Sequence, residues 1–223
     1  MRTKFKITFY FTIFLSLFLI ISPINAWDGA THRKIADEIY YNLPSDVQEH
    51  LKPYLSVMGE GSTYPDIMPS DQINHKINHR YPGSYIQTKI WLNRGRSAYE
   101  NGNYKEAAWC FGIASHYISD NFVAYHCAWI EDKEKFCQVG NQLTPKKQKF
   151  LGMDIMYIDL QHMFKYGFER GKESAINWDK TENPDVVQQN LDQSFTASYI
   201  AIFYQIIPCR VSSHNVYTSQ MNL

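Results

Sequence analysis

The stretch His116-Tyr117-Ile118-Ser119-Asp120-Asn121-Phe122-Val123-Ala124-Tyr125-His126 organises the reading of this chain. Its first histidine and its aspartate stand at i and i+4, so on a helix both lie on one face, a turn apart. His126 follows six residues after Asp120, just past the end of that helix. Imidazole and carboxylate at this spacing suit a borderline divalent ion, zinc first. A His–Asp pair on a solvated helix face would read the same way, so the motif gains its weight from what lies elsewhere in the chain.

The surrounding chain reads as helices with short polar breaks and no convincing hairpin, which makes the expected fold all-α. Ile35, Ile39, Tyr40 and Leu43 recur at helical spacing and end at Pro44. Ser45-Asp46 caps a second helix holding Val47, Leu51, Tyr54 and Leu55, with a kink predicted at Pro53. Residues 59–83 are rich in glycine and proline without periodicity, and predict a long loop. Long ordered loops in compact domains are usually functional. Helices are predicted over 84–100 and 103–120, broken at Asn101-Gly102-Asn103. Ala98 to Ala108 looks like the hairpin of a tetratricopeptide repeat, but a single copy says helix–turn–helix and no more. Pro145 opens a helix over about 145–170, with Phe150, Met153, Ile158, Met163 and Phe164 on its apolar face. A polar break at 177–184 precedes a last helix, roughly 185–207, ended by Pro208 and a polar, mobile tail.

The chain of 223 residues suits one domain with a substantial core. Residues 1–26 read as a cleaved signal peptide: Arg2, Lys4 and Lys6, an apolar run from Ile7 to Ile21, then small residues closing at Ala26. The expected organisation is therefore signal peptide 1–26, helical domain 27–208 and tail 209–223, in a secreted protein. Removing the three basic residues of the signal leaves 19 basic against 22 acidic, a formal charge of −3. That balance does not resemble a nucleic-acid-binding surface. Export favours disulfides, and Cys127 and Cys137 are close enough to staple a local loop, whereas Cys110 reads as packing and Cys209 lies in the tail. No CxxC spacing occurs, which argues against a cysteine zinc site.

Cleavage after Ala26 would make Trp27 the first residue, with His32 five positions on. A free α-amine is a good metal ligand and its own carbonyl can close a chelate. Tyr64-Pro65-Asp66-Ile67 and Asn78-His79-Arg80-Tyr81 add an acid and an imidazole from the predicted loop. His75, four before His79, could compete for that role. His50 and His214 read as surface residues, and Tyr64, Tyr81 and Trp129 flank the candidate ligands.

Taken in order, Trp27, His32, Asp66, His79, His116, Asp120 and His126 resemble the zinc-dependent phospholipase C family and the related single-strand-specific zinc nucleases. The resemblance spans roughly residues 27–130 and implies an all-α fold with three zinc ions in a cleft. It implies one ion held by Asp66, His79, His116 and Asp120, and a second by the Trp27 amine and carbonyl, His32 and the shared Asp120. A third would take His126 and a His-x-x-x-Glu or Asp pair from the next helix. Close metal pairs clamp a phosphate and lower the pKa of bound water to near 7, and Asp66 is the candidate to orient or deprotonate that water.

The chain departs from this pattern at the third ion. Residues 127–161 hold no histidine, and the expected pair falls where the sequence reads KKQKFLGMD. Asp154 and His162, the latter oriented by Asp159, are the available substitutes, so two zinc sites are expected. Val123-Ala124 also stands where a proline is expected between Asp120 and His126. The function expected is a secreted, monomeric zinc-dependent phosphodiester hydrolase, phospholipase C-like, that acts on phospholipid or another phosphodiester with peripheral membrane contact. A nuclease of the same fold is the alternative enzyme and would need stacking aromatics and positive surface. The other class is a non-catalytic exported protein that keeps the fold and a degraded third metal site.

Overall fold

A computed structural model of the chain describes residues 27–148 and 159–220, with side chains up to residue 207. The described residues form ten α-helices and no strand: α1 Gly29–Asn42, α2 Ser45–Leu51, α3 Leu55–Ile67, α4 Pro69–Asn78, α5 Gly83–Glu100, α6 Tyr104–Asp120, α7 Ala124–Cys127, α8 Lys133–Gln142, α9 Leu160–Thr181 and α10 Pro184–Gln220. The fold is all-α, as its periodicity predicts. No helix among the described residues is long and apolar enough to cross a membrane.

Local chemistry accounts for most of the boundaries. The Asp28 carboxylate accepts from the Thr31 backbone N–H at 3.0 Å, Asn103 from Glu106 at 3.3 Å, and Asp132 from Lys135 at 2.8 Å. Each satisfies a donor that the first helical turn leaves bare. The α5–α6 turn closes on Gly102 at φ +73°, a conformation costly to any residue with a Cβ. α9 runs past the break predicted at 177 because Trp178 is buried in its last turn, and it stops at Glu182, at φ 47°. Residues 145–148 are not helical, and Phe150, Met153 and Ile158 lie outside the described residues, while Met163 and Phe164 are in the core. The helical backbone of α10 continues through Pro208, which deletes one donor without ending it.

The segment predicted as a long loop is two helices, α3 and α4, meeting at Met68-Pro69. Its glycines serve packing instead of turns. α6, buried along nearly its whole length, lies against α5, α3 and α10. Where α3 crosses it, a Cβ on Gly112 would fall 2.1 Å from the Met58 carbonyl oxygen, and one on Gly61 2.5 Å from that of Trp109. Only hydrogens at both positions allow the two backbones to touch. Pro53 interrupts the second predicted helix as a 3-10 turn, Lys52–Tyr54, that links α2 to α3.

One core joins these elements through Ile35 and Ile39 of α1, Met58 of α3, Phe111 and Ile118 of α6, Phe164 and Trp178 of α9, and Leu191 and Ile202 of α10. Polar groups gather at one end of it, where α6 terminates.

Candidate metal centre

Asp120, the last residue of α6, is fully buried, and four imidazoles face its carboxylate. His79 Nδ1 lies 2.6 Å and His116 Nε2 3.1 Å from Oδ2, while His32 Nε2 lies 3.5 Å and His126 Nε2 3.7 Å from Oδ1. Asp66, near the end of α3, adds a second carboxylate with Oδ1 3.6 Å from His116 Nε2. The sequence-predicted residues His32, Asp66, His79, His116, Asp120 and His126 therefore converge on one buried pocket, drawn from α1, α3, the end of α4, α6 and α7.

The backbone crossing described above orients the central imidazole. It brings the Ser62 carbonyl to 2.8 Å from His116 Nδ1, and a carbonyl can only accept, so Nδ1 carries the hydrogen of the neutral ring and Nε2 its lone pair. The Ser119 hydroxyl donates to the His116 carbonyl at 2.9 Å and therefore accepts from His32 Nδ1 at 3.1 Å. His32 Nε2 is then also a lone pair, and its ring stacks on His116 with centroids 3.9 Å apart. With both rings neutral, two acceptor nitrogens point at an acceptor carboxylate, a clash that a cation relieves, or in its absence the added proton on His116.

His79 has a carboxylate on each side, Asp120 at Nδ1 and Asp71 at Nε2, the latter 2.5 Å away. Asp71 is buried and also accepts from the Asn78 side chain. A carboxylate behind an imidazole whose other nitrogen faces the pocket is the usual arrangement around a metal-bound histidine. Sequence reading missed Asp71. It stands eight residues before His79, on the kinked helical segment that His79 caps, a signal hidden once 59–83 is read as a loop.

His126 reaches the pocket from the short helix α7. Asn190 of α10 accepts from the Ala124 N–H at 3.0 Å and Arg80 donates to the His126 carbonyl at 3.2 Å, so the helix is held from two sides. The break that the missing proline would impose is made by Val123 with extended backbone, φ −86° and ψ 132°. His162 is exposed at the start of α9 and belongs to no candidate metal-binding group among the described residues, whereas Asp154 lies outside them. His75 joins His79 and His126 instead, half-buried one turn before His79.

The Trp27 indole is fully buried against Phe136, with ring centroids 5.6 Å apart, and over Gly140, where a Cβ would lie 2.4 Å from Cζ3. This packing fixes where the chain enters the domain. Tyr64 packs at a tilt on Trp109 with centroids 4.9 Å apart, Tyr81 packs on Phe168 at 6.1 Å, and Trp129 is 77% exposed. The Cys127–Cys137 staple that the sequence allows is not formed, and both are free thiols along with Cys110. Cys127 Sγ donates to the Asn121 carbonyl at 3.3 Å and is packed against Gly171 of α9, so its sulfur is turned into the core.

The electrostatics of the metal-free pocket follow from burial and crowding. Burial would raise the Asp120 carboxyl, but His126, His116 and His32 around it outweigh that and hold it well below the usual range. Burial would lower His79, yet hydrogen bonds to Asp120 and Asp71 raise it to about 9. Burial, reinforced by His116, keeps His32 well below 6.5, and burial takes His126 down to about 3 and His75 to about 4. Desolvation pushes Asp66 up despite His116 beside it. Protons on His79 and His116 thus supply charge that a cation would otherwise supply.

Whether the residues fit a metal ion can be tested on their unpaired atoms. His32 Nε2, Asp66 Oδ1, Asp120 Oδ1 and His126 Nε2 are all buried with no hydrogen-bond partner in the protein. Each such atom costs about 1–3 kcal/mol unless something satisfies it. Ligand atoms of His32, Asp66 and His116, of His79, His116 and Asp120, and of His75, His79 and His126 each lie within 4.8 Å of one another. Nitrogen and carboxylate oxygen donors crowded in this way fit zinc.

An all-α domain with a buried His/Asp cluster at the end of its central helix defines a class of helical metalloproteins. A family model described as zinc dependent phospholipase C matches residues 31–193, and the chain belongs to that family. A phospholipase C of Clostridium novyi is 28% identical over 143 residues, which are 48% of this chain and 36% of that protein. The chain thus spans well under half the length of that relative. The alpha toxin of Clostridium absonum superposes with a TM-score of 0.60 at 18% identity, covering 82% of this chain and 65% of the toxin. Clostridium perfringens alpha-toxin from an avian strain gives 0.58 at 20% identity, covering 79% and 64%. These likenesses confirm the helical fold that the resemblance of residues 27–130 implies.

Proposed function

We propose that this protein is an exported zinc-dependent phosphodiester hydrolase of the phospholipase C type. The observation that carries the reading is the set of unpaired, buried donor atoms converging on Asp120. In this reading His79, His116 and Asp120 hold one ion, and His32 and Asp66 help to hold a second beside it, with Asp120 shared. Removal of residues 1–26 would free the Trp27 amine as a further ligand, and the buried indole would keep that new terminus in place.

Bound zinc would supply a water acidic enough to attack phosphorus near neutral pH and positive charge for the phosphate oxygens. The protein's own groups do the rest. Asp66, whose burial raises its proton affinity, would orient the attacking water and take up its proton through the carboxylate oxygen that no ion engages. Asp120 keeps its negative charge and fixes the spacing of the pocket. Ser62 and Ser119 hold His116 and His32 in the tautomers that present Nε2 inward. Asp71 holds His79 from behind.

A lipid substrate is favoured over nucleic acid by charge and by surface. The chain from Trp27 onward carries 19 basic and 22 acidic residues, a poor match for a polyanion. Ile73 and Ile77, 85% and 65% exposed, stand one turn apart on α4, the helix that carries Asp71 and His75 into the pocket. Exposed isoleucines so close to the site suit contact with a lipid surface. The test is hydrolysis of a soluble phosphocholine diester and of phosphatidylcholine vesicles by protein matured to Trp27, with and without zinc. Zinc-dependent release of the phosphorylated headgroup is expected. A zinc-loaded, folded protein that cleaves neither would turn the reading towards a non-catalytic member of the family.

A further inference from the structure

Two lysines stand in the first turn of α8, and the fold uses them differently. Lys135 is exposed and paired with Glu182. Lys133 is half-buried, with Nζ 4.7 Å from the centre of the Tyr125 ring. That ring lies 5.1 Å from the ring of His126, whose Nε2 faces Asp120. Lys133 and the pocket thus share Tyr125 as a neighbour. Burial weakens the hold of Lys133 on its proton, while Cys137, Asp120 and Asp66 strengthen it. Behind the larger influence of burial, the lysine's charge is felt in return at Asp66 and His126. The start of α8 is also a rigid mount. Asp132 caps the helix, and Trp178 Nε1 donates to the Asp132 carbonyl at 3.3 Å. Phe136 packs edge-on against Trp178 and Tyr125, with centroids 5.1 and 5.5 Å apart.

We propose that the Lys133 ammonium binds the phosphate of the substrate, donating an N–H to a non-bridging oxygen at the edge of the pocket. The role rests on the hydrolase reading above and adds to it a residue that holds no metal. Asp66, Asp71 and Asp120 are buried in or behind the pocket and oppose the approach of an anion. A phosphodiester brings one negative charge, and attack by water that gives up its proton adds a second. A half-buried ammonium already in place interacts more strongly with the second state than with the first, because partial desolvation strengthens its field. Lys133 keeps its proton throughout. The water's proton is left to Asp66, and the lysine supplies a charge and a hydrogen bond.

The experiment measures inorganic phosphate binding to zinc-loaded protein by calorimetry, beside kcat and KM on a soluble phosphocholine diester. Lys133→Met keeps an unbranched stem on the Tyr125 ring and removes the charge, and Lys133→Arg keeps the charge. Lys135→Met removes a charge from the same helical turn as a control. Zinc per chain and thermal melting are recorded for each. Phosphate binding about tenfold weaker in Lys133→Met, with kcat/KM down about a hundredfold and the loss mostly in kcat, is expected at unchanged zinc content. Lys133→Arg should recover part of both, and Lys135→Met should match the unaltered protein. Phosphate affinity and kcat/KM unchanged in Lys133→Met would overturn the role and leave the proposed function standing, whether or not melting is lowered. Loss of zinc from Lys133→Met, or a zinc-loaded unaltered protein that binds no phosphate, would also overturn it. Phosphate binding that depends on Lys133 in a protein that hydrolyses nothing would keep the phosphate position and overturn the hydrolase reading.

Discussion

Replacing Gly112 with alanine tests whether the α3–α6 contact sets the geometry of the pocket. The new Cβ would fall 2.1 Å from the Met58 carbonyl oxygen, 2.9 Å from Ser62 N and 3.1 Å from the Gly61 carbonyl carbon. All three are backbone atoms, so no side chain can swing away. Restoring an ordinary contact of about 3.4 Å to the Met58 oxygen requires the helices to part by about 1.3 Å. Forcing such volume into a packed interior costs up to about 3 kcal/mol. The same separation stretches the 2.8 Å bond from His116 Nδ1 to the Ser62 carbonyl beyond hydrogen-bond range, a loss of about 1 kcal/mol. Alanine regains about 1 kcal/mol of helix propensity over glycine. The net is a destabilisation of about 3 kcal/mol, which for a chain of this size lowers Tm by about 6–12 °C. Differential scanning calorimetry on metal-free protein measures it. Zinc affinity should fall as well, because His116 loses the bond that fixes its tautomer. A Gly112→Ala protein melting within about 2 °C of the unaltered one, with unchanged zinc affinity, would refute the reasoning.

Asp71→Asn removes the charge behind His79 without touching the pocket wall, and zinc affinity by competition with a chelator should drop about 10–100-fold while the helical spectrum is retained. In metal-free protein the histidines act in opposite directions on stability. His79, raised to about 9, contributes fully below about 6.5 and loses that contribution as pH climbs towards 9. His126 and His75, lowered to about 3 and about 4, contribute above about 6.5 and lose it as pH falls towards those values. Urea unfolding in the presence of chelator should therefore show stability from these groups peaking near pH 6.5, with the alkaline fall reduced in His79→Gln and the acid fall reduced in His126→Gln. Ile73→Ser with Ile77→Ser should weaken sedimentation with phosphatidylcholine vesicles by about tenfold or more, from the loss of about 1.5–3 kcal/mol per buried side chain, while hydrolysis of a soluble diester is unchanged.

Much of the pocket is legible in the sequence because its centre is local. His116 and Asp120 are four apart on one helix, so their shared face is fixed by helical geometry alone, and that helix is predicted within a residue of where it lies. His32, Asp66, His79 and His126 are brought to it by long-range packing that spacing does not encode, and the family resemblance supplied their order. The segment 59–83 misled because glycine and proline there mean close approach and helix starts. Gly61 faces the backbone of α6, Pro65 sits inside α3, and Pro69 opens α4. Reading those two helices as a loop hid Asp71 and left His75 as a competitor of His79, when the structure gives the two different positions. The Cys127–Cys137 pairing that the sequence left open is decided by packing as well. Ten residues separate Cys127 and Cys137 in sequence, but Cys127 is turned inward onto Asn121 and Gly171.

Asp120 is the carboxylate around which zinc is held in the proposed function. The most direct measurement is zinc per chain, by elemental analysis, for the protein matured to Trp27 and for its Asp120→Asn variant, both folded by circular dichroism. At least two ions per chain in the former, and loss of tightly bound zinc together with hydrolysis in the latter, is the result predicted. Full zinc content in Asp120→Asn, or none in the unaltered protein after saturation, would contradict it.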